Sequence, residues 1–184
     1  MRIFILPLLF LLSVPALFAG ETDSSYKLIA VEDGDTIIVQ IGAKEKRLQL
    51  SGIDAPEDVI NPKFTKDSGR TGLTKETLLA LGKAATDHLK QLINPGDQLR
   101  IVGDLNNSDK YGRVPVVAFK EGPLSLNERM VADGYAVVLS RAALEASFKQ
   151  QLQQLQIQAQ EQQLGLWGLH SHSTMLWSDQ TATH

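Results

Sequence analysis

Short runs of alternating or continuous apolar residues recur along the chain and predict a series of β-strands. They cover residues 26–31, 36–41, 46–53, 99–103, 114–120 and 135–139. Asp33-Gly34 separates the first two runs, and an Asp-Gly pair between β-branched segments favours a tight hairpin turn. The first three runs therefore predict a β-meander.

Three other segments carry apolar residues at helical spacing. The first follows Thr74, a residue type suited to an N-cap, and repeats leucine or alanine every three or four positions. The second begins with a capping-box sequence at residues 125–128 and ends at Gly134. The third covers residues 141–164 and is rich in glutamine on its polar faces. These segments predict three helices.

The order of these elements predicts an α+β fold. Five of these strands with turn signals between them, with helices inserted after the third strand and after the last, indicate a small five-stranded OB-type Greek-key barrel with about three helices. Residues 58–74 contain proline, glycine and polar residues and predict a long surface loop. The chain of 184 residues suffices for one domain. We assign this domain to residues 26–168 and a polar C-terminal tail to residues 169–184.

The N-terminal segment is the most apolar part of the chain. Residues 3–19 follow Arg2 and end in Leu-Phe-Ala, which predicts a signal peptide at residues 1–19, cleaved after Ala19 or nearby. An uncleaved membrane anchor is the alternative reading. The chain has no cysteine, which excludes a lipoprotein anchor and disulfides. We expect a secreted or periplasmic protein, monomeric, with no stable membrane anchor after cleavage.

The charge balance is mildly acidic. The formal net charge is −3, and removing residues 1–19 leaves 17 basic and 21 acidic residues, a net charge of −4. This balance counts against tight nonspecific binding to nucleic acid. It does not exclude hydrolysis of nucleic acid, since a bound divalent cation restores part of the missing positive charge.

Two short clusters of carboxylates are the main candidates for chemistry. Asp33 and Asp35 lie in the first hairpin turn, and Asp54, Glu57 and Asp58 follow the third strand. Such clusters at the ends of neighbouring strands can converge on a hard cation while one carboxylate stays free as a base. The alternative is that they are ordinary turn and surface residues.

An arginine in a third turn adds what phosphodiester hydrolysis requires. Arg113 ends the sequence DKYGR at residues 109–113. A phosphodiester under attack gains negative charge on its equatorial oxygens, to which a guanidinium offers two parallel donors.

The sequences DGDT (33–36), GIDAPE (52–57) and DKYGR (109–113) occur in this order, and GLWG closes the region at residues 165–168. Together they resemble the thermonuclease (staphylococcal nuclease-like) family over residues 26–168. The resemblance implies that Asp35, Asp54 and the carbonyl of Ala55 bind one calcium ion. It further implies that Glu57 is the general base; the adjacent Asp58 is a weaker alternative for this role. It also implies that Arg113 stabilises the transition state, and that Lys110 and Tyr111 contact a terminal phosphate.

One position departs from the family pattern. The family usually has an arginine five residues before the metal-binding aspartate, where this chain has Gln49. Arg47 lies two residues earlier, on the same face of the strand, about 6–7 Å away and within an arginine's reach. We therefore count Arg47 as a catalytic candidate. Basic residues of the following loop are alternatives: Lys63, Lys66 and Arg70.

The resemblance implies a calcium-dependent exported nuclease that hydrolyses DNA and RNA phosphodiesters with low sequence specificity. A second reading is a catalytically weakened OB-fold module that binds nucleic acid, favoured by Gln49 and the acidic balance. A third is an interaction protein that docks through the glutamine-rich helix. The histidines of the chain are not expected to form a metal site.

Overall fold

A computed structural model describes residues 22–181, so the predicted signal peptide lies outside the described residues. The strands are β1 (Thr22–Val31), β2 (Thr36–Ile41), β3 (Lys44–Leu50), β4 (Ile53–Asp54), β5 (Gln98–Gly103), β6 (Val114–Phe119) and β7 (Val137–Val138). Five of them form a closed barrel in the order β1-β2-β3-β6-β5, and β4 pairs with β7 in a separate small sheet. The predicted five-stranded barrel is confirmed.

The alternation of residues along β3 shows how the sequence builds the barrel. Leu48 and Leu50 are fully buried in the core, whereas Arg47 and Gln49, which alternate with them, are only partly buried. Strand β3 pairs antiparallel with β2 and parallel with β6, and the parallel pairing closes the barrel. The outward face of β3 is thus available to the surface beside the first carboxylate turn.

The helices are α1 (Pro62–Thr71), α2 (Lys75–Leu92), α3 (Leu126–Ala132), α4 (Ala146–Glu161), α5 (Leu166–Leu169) and α6 (Ser171–Thr181). The predicted starts of α2 and α3 are confirmed. Thr74 accepts a hydrogen bond from the backbone N–H of Thr77, and Ser125 forms a complete capping box with Glu128. The α+β class is therefore confirmed, with α1, α5 and α6 in addition to the three predicted helices.

The predicted loop at residues 58–74 is wrong for most of its length, because it contains α1. Asn61 accepts a hydrogen bond from the backbone N–H of Phe64, and Pro62 stands at the first helical position. Gly72 ends the helix in the left-handed conformation, with φ of 68°. Polar composition concealed these start and stop signals, since Phe64 is the only apolar residue that α1 buries.

Two boundaries near the C-terminus also differ from the prediction. The third helix begins at Ala146 rather than at residue 141, because Glu145 caps it through the backbone N–H groups of Ser147 and Phe148. The expected tail at residues 169–184 instead contains α6. Its Trp177 is fully buried in a cluster with Phe64 of α1 and other apolar residues. Within residues 22–181, none of the helices combines the length and apolar character needed to cross a bilayer.

Candidate active site

An open cleft of about 670 Å³ lies where the end of β1, strand β3, helix α1 and the turn at residues 109–113 meet. Five of the eight predicted site residues line it: Arg47, Asp54, Glu57, Tyr111 and Arg113. Asp35 and Ala55 are buried next to Asp54. Lys110 is exposed and does not line the cleft.

The two carboxylate clusters meet through the hairpin turn at residues 33–35. Asp33 Oδ1 accepts a hydrogen bond from the backbone N–H of Asp35 at 3.0 Å. Asp35 Oδ2 accepts one from the backbone N–H of Ala55 at 3.1 Å. Gly34 permits this close approach, because a Cβ there would lie 2.7 Å from the Cβ of Ala55 and 2.8 Å from that of Ala85 in α2. The turn is thereby fixed against the segment that carries Asp54.

The electrostatics of the buried pair favour a cation. Burial, together with the negative charges of Asp33 and Asp54, raises the pKa of Asp35 well above its ordinary value. Burial also raises the pKa of Asp54, although the ammonium of Lys63 acts in the opposite direction. Buried carboxylates of this kind are stabilised in their charged form only when a positive charge lies close to them.

Lys63 of α1 supplies that positive charge. Its Nζ lies 3.2 Å from Asp54 Oδ1 and 2.9 Å from Glu57 Oε1, and it donates to the carbonyl of Ala55 at 3.0 Å. Burial lowers the pKa of Lys63, but Asp54, Glu57 and Asp35 outweigh it and raise that pKa above its usual range. Two of the three oxygens predicted to hold a metal ion, those of Asp54 and Ala55, therefore contact the ammonium group of Lys63.

Side-chain ligands alone do not make a complete metal cage here. Across residues 22–181, no group of three or more His, Cys, Asp or Glu side chains is arranged to hold a metal ion. Two carboxylates and a carbonyl match the hard oxygen donors that Ca²⁺ prefers, with water completing the coordination. The donor set fits such an ion in its chemistry, and the ammonium group held by the same oxygens shows that the position attracts a cation.

Glu57 is held at the wall of the cleft by two side chains from the start of α1. Lys63 contacts its Oε1, and Asn61 donates to its Oε2 at 2.5 Å. Helix α2 packs directly beneath, because a Cβ at Gly82 would lie 2.1 Å from the carbonyl oxygen of Glu57. The position of this carboxylate is therefore determined by packing and hydrogen bonds. Asp58, the weaker candidate for the base, does not line the cleft.

Arg113 enters the cleft from the turn at residues 109–113. Asp109 Oδ2 accepts hydrogen bonds from its Nε and Nη2 at 3.0 and 2.9 Å. Partial burial raises the pKa of Asp109, but donors from the backbone and side chain of Arg113 and from the backbone of Tyr111 lower it overall. Tyr111 is 61 % exposed beside the guanidinium, which lies 5.3 Å from its ring centre. The orientation of Arg113 is thus fixed, and the exposed ring of Tyr111 lies next to its guanidinium.

Arg47 also reaches the cleft, whereas Gln49 does not line it. The Arg47 guanidinium pairs with both carboxylate oxygens of Glu32 through Nε and Nη2, and Nη1 donates to the carbonyl of Tyr111 at 3.2 Å. Glu32 was not predicted as a site residue, because its contact with Arg47 depends on the pairing of β1, β2 and β3. Its residue type and its exposure do not by themselves indicate a role in the site.

A second basic residue of α1, Arg70, has N–H groups that are not used in hydrogen bonds within the described residues. Arg70 Nη2 donates to Asp67 Oδ1 at 2.6 Å, while its Nε and Nη1 are buried and find no hydrogen-bond partner among residues 22–181. Asp67 also accepts a hydrogen bond from Trp177 Nε1 of α6 at 3.3 Å. Asn61, Asp67 and Trp177 were not predicted as parts of the site, since all three act through helices that the sequence analysis missed.

Comparison with known proteins identifies the family. The model of the staphylococcal nuclease homologue family matches residues 47–168. A thermonuclease of Staphylococcus hyicus is 28 % identical over 152 residues, 81 % of this chain and 79 % of the relative. An uncharacterized endonuclease of Escherichia coli is 30 % identical over 167 residues, 91 % of this chain and 90 % of the relative. A barrel with this site and these relatives leads to one conclusion: the chain belongs to the staphylococcal nuclease-like (thermonuclease) family.

Proposed function

We propose that this protein is a calcium-dependent nuclease that hydrolyses phosphodiesters of DNA and RNA with low sequence specificity. The observation that carries the proposal is one cleft lined by Asp54, Glu57 and Arg113, with Asp35 buried behind it. Relatives named thermonuclease and endonuclease support the same reaction class. The apolar segment at residues 3–19 supports export to the periplasm or the medium.

The residues of the chain divide the work of hydrolysis between them. Glu57 accepts the proton of a water molecule whose oxygen attacks phosphorus. The bond from phosphorus to the 5′-oxygen breaks, and that oxygen takes a proton from solvent, which leaves a 3′-phosphate and a 5′-hydroxyl. Arg113, oriented by Asp109, donates hydrogen bonds to the phosphate oxygens as their charge grows. Tyr111, whose ring is exposed, and its neighbour Lys110 contact a terminal phosphate. Lys110 contributes a positive charge to this contact.

Asp35, Asp54 and the carbonyl of Ala55 are the residues that would hold Ca²⁺. The bound ion would polarise the phosphate and neutralise charge that develops on it. Arg47, held by Glu32 at the cleft wall, is the proposed second cationic donor in place of the family arginine.

A nucleic-acid-binding module that no longer cuts is the second candidate. Gln49 favours it, because a preorganised cationic donor of the family is missing there. Loss of one such donor costs on the order of 10²–10³ in rate. The engagement of Glu57 by Lys63 and Asn61 also favours it, since both oxygens of the base are occupied.

A defined oligonucleotide distinguishes the two candidates. The protein without residues 1–19 is incubated with 5′-labelled single-stranded DNA and, separately, RNA in the presence of Ca²⁺. The nuclease proposal expects cleavage at many positions of both polymers, with product ends that carry a 3′-phosphate. Retarded but intact oligonucleotide at high protein concentration would instead establish the binding module.

A further inference from the structure

The start of α1 places a positive charge on the proposed cation site. Lys63 Nζ contacts two of the three oxygens assigned to the ion, at 3.2 Å from Asp54 Oδ1 and 3.0 Å from the Ala55 carbonyl. The same nitrogen lies 2.9 Å from Glu57 Oε1. One ammonium group therefore bridges the proposed metal ligands and the proposed base.

An ammonium group and a divalent ion cannot share these oxygens. Ca²⁺ lies 2.3–2.6 Å from its oxygen ligands, and a second cation in contact with the same carboxylate and carbonyl would meet strong repulsion. Lys63 is 35 % exposed in its side chain and stands in the first turn of a helix, so its four-carbon side chain has room to turn toward solvent.

We propose that Lys63 is an internal competitor of the divalent cation. Without the ion, its ammonium group neutralises the buried carboxylates and occupies the Oε1 atom of Glu57. Binding of the ion displaces the ammonium group and at the same time frees Glu57 to accept a proton from water. Lys63 thereby sets the affinity of the site for Ca²⁺ and couples occupation of the site to availability of the base. This inference rests on the cation site proposed above.

The structure offers a control on the same helix. Lys66 lies one turn further along α1, is exposed and lines the same cleft, and the described residues give it no carboxylate partner. Lys63→Met and Lys66→Met remove the same charge from the same helix. A general effect of net charge on Ca²⁺ binding would change both variants alike, whereas competition for the oxygens concerns Lys63 alone.

The test is Ca²⁺ affinity by isothermal titration calorimetry, together with Tm with and without Ca²⁺. For Lys63→Met we expect a Kd at least tenfold lower than that of the wild type, a lower Tm without Ca²⁺, and a larger rise in Tm when Ca²⁺ is added. Lys66→Met should stay within twofold of the wild-type Kd. If Lys63→Met does not fold without Ca²⁺, Lys63→Gln, which retains a hydrogen-bond donor, replaces it.

The outcomes separate this inference from the proposed cation site. An unchanged or higher Kd for Ca²⁺ in Lys63→Met would overturn competition by Lys63. The cation site itself would still stand if Asp54→Asn abolishes the heat of Ca²⁺ binding. Binding that appears only after Lys63 is replaced would support competition in its strongest form. No binding by either protein at millimolar Ca²⁺ would overturn both ideas.

Discussion

At the scale of single residues, the site consists of charged side chains held in pairs. Arg113 pairs with Asp109, Arg47 with Glu32, and Lys63 with Asp54 and Glu57. The candidate site residues in DGDT, GIDAPE and DKYGR could be selected from the sequence, because each motif is a continuous segment with fixed spacing. Their partners were not predictable in the same way, since the Lys63 contacts depend on how α1 packs against the barrel.

Arg47→Ala tests whether Arg47 replaces the family arginine. We expect turnover to fall at least tenfold with little change in the free energy of unfolding, because a cationic donor beside the phosphate is lost while the barrel core is untouched. Steady-state cleavage of DNA and urea unfolding measure the two effects. The control is Lys44→Ala, an exposed residue of the same strand that does not line the cleft. Equal turnover in wild type and Arg47→Ala would remove Arg47 from the site, and Arg70, with its open donors, would be examined next.

At the scale of elements, the barrel and the helices α2 and α3 were predictable from local signals. Leu48 and Leu50 alternate with polar residues, and Thr74 and Ser125 have suitable cap chemistry. Helix α6 has no such pattern, since its apolar residues are few and its side chains are mostly polar. It is held by tertiary contacts of Trp177, which the sequence around it does not reveal. In α6, tertiary packing and not local periodicity therefore decided the structure.

Trp177→Ala tests whether α6 is part of the folded domain. We expect a loss of about 3–5 kcal/mol in the free energy of unfolding, because a fully buried indole is removed from its packed cluster. The hydrogen bond from its Nε1 to Asp67 is lost as well. Urea denaturation followed by circular dichroism gives the value.

Met175→Ala is the matched control on the same helix. Its side chain is 50 % exposed, so its replacement should change stability by no more than about 0.5 kcal/mol. If Trp177→Ala were as stable as the wild type, α6 would behave as the polar tail that the sequence predicted.

At the scale of the whole molecule, an acidic protein is proposed to bind a polyanion. The net charge is −3 for the full chain, and the proposed cleft is lined by five basic side chains: Arg47, Lys63, Lys66, Arg70 and Arg113. Attraction must therefore come from a few local contacts and a bound cation, and long-range steering contributes little. This balance was evident from composition, whereas the position of the cleft required the folded structure.

The salt dependence of binding follows from that balance. With Glu57→Gln used to prevent cleavage and Ca²⁺ present, affinity for single-stranded DNA should be weak. It should fall about tenfold between 50 and 200 mM NaCl, as expected when two or three phosphates are neutralised. Fluorescence anisotropy of a labelled oligonucleotide measures this dependence. Affinity that does not change with salt would show that phosphate contacts do not carry the binding.

The proposed nuclease activity depends on Glu57 and on a cation held beside it. The most direct measurement is release of acid-soluble nucleotides from denatured DNA by the protein without residues 1–19, first with Ca²⁺ and then with excess chelator. We expect release that requires Ca²⁺, falls at least 10²-fold in Glu57→Gln, and is retained in the neighbouring control Asp58→Asn. Release that persists in chelator or in Glu57→Gln, or no release from a protein shown to be folded, would contradict this proposal.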